Sequence, residues 1–199
     1  MARDLPFIAI VGPPGAGKTT LWWAFKEHLS GQIQCISEVA TLLITALGAT
    51  PDTKGASYIL TQDFGITIYE VQVLLEKAGE GIAKKAGFRG VLCDKGRLDT
   101  AVHFGGDIEA YGRILGVRAA EDLARYDLVL CMELPAEDVY NHFQNNNPCR
   151  FHDYDDAKRI EGIVRNVWGR HPNFVVIPDA SSWEERVRLA FKTVLPFLA

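Results

Sequence analysis

A chain of 199 residues is long enough to bury one sizeable core, and 48% hydrophobic with 23% charged residues excludes both a disordered tract and a fibrous repeat. A formal net charge of −4 and a pI near 5.7 give no broad cationic field, so counterion-release binding to nucleic acid is not expected. No apolar run approaches the roughly 20 residues that cross a bilayer, the start MARDLPFIAIVGPPG lacks a signal-peptide cleavage pattern, and the cysteines show no C-x-x-C pair; no membrane partner and a reducing cytoplasm are expected.

In chain order, the first apolar run, Phe7–Val11, reads as a strand and leads through a glycine-rich turn into a helix over about 17–30. A weaker run, 33–36, makes a second strand before a helix over 38–47. A turn-rich loop, 48–61, precedes the longest helix, 62–86, and then the strand 90–93. Beyond lie a helix over 106–125, the strand Leu128–Met132, a helix over 135–146, a second turn-rich loop at 145–154, a helix over 155–169, the strand Phe174–Ile177 and a helix over 182–195. The strands are continuously apolar rather than alternating, which is the pattern of strands covered on both faces. The expected architecture is a three-layer α/β fold, a five-stranded parallel sheet with helices on both faces, forming a single domain. Cys35, Cys93 and Cys131 lie in apolar runs and read as small core hydrophobes. Trp22 and Trp23 are neighbours on the first helix and face different ways, so at least one is expected in the core and neither in a site.

Residues 12–19 read GPPGAGKT, matching G-x-x-x-x-G-K-[ST] between a strand and a helix. A triphosphate needs many donors at close range, and glycine lets backbone N–H groups turn inward without a Cβ in the way. Gly12, Gly15 and Gly17 supply that freedom, with Pro13, Pro14 and Ala16 completing the loop. Lys18 is expected on the β- and γ-phosphates, Thr19 on Mg²⁺ and Thr20 on the α-phosphate, with the helix dipole adding to the attraction. The run GVLCD then delivers Asp94 as a second magnesium-side acid, the alternative being a carboxylate that caps the following turn. Glu38 follows the weaker strand at a carboxyl end, where open α/β sheets bind ligands; a helix-stabilising first-turn Glu would look the same.

Taken together, GPPGAGKTTL, SEVATLLI, DKGRLDT, YDLVLCMELP and NNNPCRFHDYDDAKRIEGIV resemble the AAA-domain family that includes the nicotinamide riboside kinase domain of bacterial NAD-biosynthesis regulators, and more broadly thymidylate-kinase-like small-molecule kinases. The resemblance covers nearly the whole chain. It implies Glu38 at an acceptor, Gln72 lining the substrate side, and Asp94 and Asp99 bracketing a D-[RK]-G-x-x-D segment. Lys95 stands where that pattern often has Arg, which keeps the charge but loses bidentate recognition and argues against a phosphorylated acceptor. For Gln72, a polar residue on a solvated helix face is the competing reading.

Pro148 breaks the chain before a helix bearing Lys158, Arg159 and Arg165, and the segment at about 145–160 resembles a kinase lid. Arg150 and Arg159 are the candidates to close on the transferring phosphate; an Asp155–Arg159 pair on a solvated face is the ordinary alternative. In the kinases that this chain resembles, the turn corresponding to DASSWEER flanks the nucleotide base, so the base is expected between this turn and the lid; Ser182 and Glu185 stand at capping-box spacing, and capping chemistry alone would explain these residues. The leading reading is an ATP- and Mg²⁺-dependent phosphotransferase acting on a small hydroxyl-bearing molecule such as a nucleoside, with either Glu38 or Asp94 accepting or orienting the acceptor hydroxyl. A nucleotide-binding regulator or slow NTPase is the alternative, and oligomeric state is left open, a homo-oligomer included.

Overall fold

Phe7–Val11 (β1) is buried along its whole length because apolar side chains leave it on both faces. Phe7, Ala9 and Val11 enter one hydrophobic cluster, whereas Ile8 and Ile10 enter a second cluster across the sheet. The computed structural model describes residues 5–48, 61–143, 152–180 and 182–199. Around β1 lie Gln34–Ile36 (β2), Val91–Asp94 (β3), Leu128–Met132 (β4) and Phe174–Ile177 (β5), ordered β2-β3-β1-β4-β5 with every pairing parallel. Register aligns Ile10 with Asp94 and with Leu130.

The helices are Lys18–His28 (α1), Val39–Leu47 (α2), Gln62–Ala86 (α3), Ile108–Leu115 (α4), Ala119–Leu123 (α5), Glu137–Phe143 (α6), Tyr154–Trp168 (α7) and Trp183–Val194 (α8). Leu21, Trp22 and Phe25 of α1 and Ala190 and Val194 of α8 pack under one face of the sheet. Tyr69 and Ala83 of α3 and Ile160, Val164, Val167 and Trp168 of α7 cover the other. Helix starts follow sequence chemistry: Thr61 accepts from the Phe64 amide at 3.3 Å, Asp153 from Asp156 at 2.8 Å and Ser182 from Glu185 at 3.2 Å.

Two readings of the sequence need correction. The helix expected over 106–125 is two, because Gly116 adopts φ 67° and closes α4 before Arg118 opens α5. Ahead of it, Arg97–Phe104 forms a 3-10 helix that periodicity does not reveal. Cys35 is half-buried and Cys93 and Cys131 are buried, all three as free thiols. Among the described residues no helix is long and apolar enough to cross a membrane.

β1 is followed by a connection toward β2, whereas β3, beside it, is followed by a connection toward β4 on the opposite flank. Neighbouring strands whose connections diverge leave a crevice at their carboxyl ends. The phosphate loop and Asp94 both emerge there.

Candidate functional site

The loop after β1 reaches its shape through three glycines with positive φ, at 137° for Gly12, 78° for Gly15 and 87° for Gly17. Each is also closely packed. A Cβ on Gly12 would sit 2.5 Å from the Met132 carbonyl oxygen, and one on Gly15 would sit 2.4 Å from the Tyr140 ring. Trp183, the first residue of α8, lies against Gly17. Ala16 is buried in the core. The buried Lys18 folds back over the loop, donating to the Pro13 carbonyl at 2.6 Å, and burial, aided by Lys95, pushes its amine down to about 8.

Thr19 opens toward β3, its hydroxyl donating to Asp94 Oδ2 at 2.7 Å. Asp94 is 1% exposed, and its Oδ1 is buried with no hydrogen-bond partner. Burial, together with the Glu38 charge, raises its carboxyl well above the usual range despite the Thr19 bond. A buried carboxylate oxygen without a donor, beside a hydroxyl, is a donor set for a hard cation such as Mg²⁺. Among the described residues no cluster of three or more His, Cys, Asp or Glu side chains could hold a metal alone, so phosphate and water oxygens would have to complete the shell.

Across the crevice, Glu38 at the start of α2 receives the Thr41 hydroxyl at 2.5 Å and pairs with Lys95 at 2.7 Å. Burial opposes its charge, but Lys95 and Lys18 prevail and hold the carboxyl below its ordinary range. Lys95 has φ 73°, the one non-glycine residue with positive φ among the described residues, so the backbone carries strain to aim this amine. Asp99, pushed up to about 6 by burial against the opposing pull of Lys95, accepts from the Gly96 amide at 2.8 Å.

These groups line a cavity of about 1030 Å³. Gly12, Pro14, Gly15, Gly17, Lys18, Thr19 and Thr20 line it together with Asp94, Lys95, Asp99 and Glu38. Thr41, Ile44, Phe64, Val102 and His103 also line it, as do His152, Asp156 and Arg159 of the α7 region. His103 stands edge-on to Phe64 and is pushed down to about 4 by burial, the Lys95 charge adding, so it is neutral. A second cavity of about 760 Å³ opens beside Pro6, Asp127 and Asn173; the Asp127 carboxylate is taken by the Phe7 amide and the Asn173 amide by the Asp127 carbonyl.

Other expectations meet a different geometry. Gln72 is not on a solvated face: it is 3% exposed, donates to Glu76 at 2.9 Å, and reaches the Lys95 carbonyl at 3.5 Å from behind the cavity wall. Trp22 and Trp23, set aside as site candidates, both line the cavity, with the Lys26 amine 4.4 Å from the Trp23 ring centre. Arg159 pairs with Asp156 at 3.3 Å, not with Asp155. Arg150 and most of the loops at 48–61 and 145–154 lie outside the described residues. None of the described residues of the turn at 178–185 lines the cavity, although Trp183 lies against Gly17.

Beneath the DKGR segment is a buried charged network that sequence patterns miss, because its members come from four helices and the loop before β4. Glu76, fully buried on α3, accepts from Arg97 at 2.9 Å and from Tyr126 at 2.5 Å; Arg97 also reaches Asp122 at 3.0 Å. Tyr69 and Tyr111 complete the shell of Asp122. The available signal was a Glu at an otherwise apolar position of α3.

A family model described as an AAA domain matches residues 7–186. The chain belongs to this AAA-domain family. No curated protein sequence matches it. Among solved structures, shikimate kinase from Acinetobacter baumannii in complex with shikimate is 17% identical with a TM-score of 0.53, over 98% of this chain and 93% of that one. Deoxyadenosine kinase from M.mycoides with bound dATP is 13% identical with a TM-score of 0.58, over 95% and 99%. NadR protein in complex with NR is 15% identical with a TM-score of 0.69, over 98% of this chain but 52% of that one, so the chain spans about half of that protein. At such identities the likeness shows the fold, and this AAA-domain member has the α/β fold of P-loop kinases.

Proposed function

We propose that the protein is an ATP-dependent, Mg²⁺-requiring phosphotransferase that moves the γ-phosphate of ATP to a small hydroxyl-bearing acceptor such as a nucleoside. The observation that carries this reading is that Glu38, Phe64 and His103 line the same cavity as the phosphate loop and Asp94. A nucleotide-sensing regulator needs the phosphate loop; a cavity of about 1030 Å³ shared by that loop with Glu38, Phe64 and His103 offers room for an acceptor as well. In this reading Lys18 and the loop amides hold the triphosphate, and Thr19 with Asp94 holds Mg²⁺, which neutralises phosphate charge when bound. Glu38, kept ionised by Lys95, orients the acceptor hydroxyl and takes its proton as the oxygen attacks the γ-phosphorus and ADP leaves. Arg159, and Arg150 from the lid segment, stabilise the charge on the transferring group. That the solved relatives include kinases of shikimate and deoxyadenosine supports the reaction class.

The test is ADP release by the purified chain with Mg-ATP across nucleosides, nucleotides, sugars and NAD precursors, beside Lys18→Ala. Release that depends on one acceptor and vanishes in the variant supports the kinase. Nucleotide binding that no acceptor turns into ADP release would favour the regulator.

A further inference from the structure

Tyr140, on α6, belongs to neither the phosphate loop nor the cavity wall, yet it touches both sides of the nucleotide site. It is 1% exposed. Its ring lies so close to Gly15 that a Cβ there would come within 2.6 Å of two ring carbons. At the other end, its hydroxyl donates to the His152 carbonyl at 2.8 Å, with the Asp153 carbonyl second at 3.2 Å. Asp153 is the N-cap of α7, so the hydroxyl grips the backbone where that helix begins. The ring also meets Tyr154 edge-on, and with Leu134 and Ala157 the two form a small hydrophobic cluster separate from both main cores.

From this juxtaposition we infer that Tyr140 is a positioning residue that couples the phosphate loop to the first turns of α7, and so sets Asp156 and Arg159 over the bound nucleotide. The inference rests on the nucleotide-site reading above. A ring pressed on Gly15 responds to any shift of the loop as phosphate binds, and a hydroxyl fixed to two carbonyls passes that shift to the helix start. The loop glycine gains a second role: any larger residue at position 15 meets Tyr140 before it meets phosphate.

The experiment is hydrogen exchange of the full chain, with and without Mg-ATP, comparing wild type, Tyr140→Phe and Gly15→Ala. Tyr140→Phe keeps the ring and removes the hydroxyl. Amides of residues 154–160 are expected to exchange about fivefold faster, the equivalent of one hydrogen bond, with α8 unchanged. Mg-ATP is expected to protect those amides in wild type but not in Tyr140→Phe, while the loop and the start of α1 stay protected in both. Wild-type rates in Tyr140→Phe, or faster exchange with the nucleotide-induced protection intact, would overturn the coupling. Should wild type bind no Mg-ATP, the nucleotide reading fails by itself; Gly15→Ala then decides the coupling, faster exchange at 154–160 supporting it and unchanged exchange ending it.

Discussion

Glu38 shows how one side chain's role depends on its neighbours. A glutamate at a helix start ordinarily offsets the dipole, but here Lys95 sits 2.7 Å away and the Thr41 hydroxyl 2.5 Å away, so the carboxylate is charged, oriented and turned to the cavity. Glu38→Gln is expected to cut acceptor-dependent turnover by about 10²–10⁴-fold while Mg-ATP still binds, as read by steady-state kinetics and calorimetry. His103 makes a second residue-level prediction. It is neutral in the fold, with its pKa pushed down to about 4, whereas in the unfolded chain it protonates near 6.5. Between those values the unfolded state holds the extra proton, so this contribution to stability is complete above about pH 6.5 and falls as the pH drops through the window. Urea unfolding at pH 7 and pH 5 should show wild type losing on the order of 1 kcal/mol more than His103→Gln over that interval. Equal losses would mean that His103 is not the group responsible.

At the scale of elements, the segment between β3 and α4 is held from below. Glu76 projects from α3 into the interior and binds Arg97 from the 3-10 helix and Tyr126 from the loop before β4, while Gln72 reaches the Lys95 carbonyl one turn away. This anchors the strained Lys95 and, through it, the amine that faces Glu38. Removing one member of a buried charged group leaves its partners uncompensated. Glu76→Leu is expected to cost on the order of 3 kcal/mol in urea denaturation, even though leucine fits an apolar helix face, because Arg97 and Arg125 lose a carboxylate they share. A neutral or stabilising outcome would show that the remaining carboxylates, Asp122 and Glu80, suffice for the two arginines.

For the whole molecule, ligand binding should appear as stability. A nucleotide that binds only the folded chain adds about 2.7 kcal/mol at a concentration 100 times its Kd, which for a chain of this size raises the melting midpoint by roughly 5–10 °C. Mg-ATP is expected to do this for wild type and not for Lys18→Ala, as thermal-shift measurements would show. By itself the sequence determined the strands, the loop and the fold class. Continuous apolar runs such as Phe7–Val11, short and bounded by turn formers, read as strands buried on both faces, and GPPGAGKT sets its turn through glycines at positive φ within eight residues. Tertiary structure decided what depends on distant parts of the chain meeting. The pairing of Glu38 with Lys95, the bond from Thr19 to Asp94, the contact of the buried Gln72 with the Lys95 carbonyl and the contact of Tyr140 with Gly15 join residues separated by 23 to 125 positions. Local propensity and periodicity act over a few residues, and they are blind to partners brought together only when β3 settles beside β1 and the helices close over the sheet.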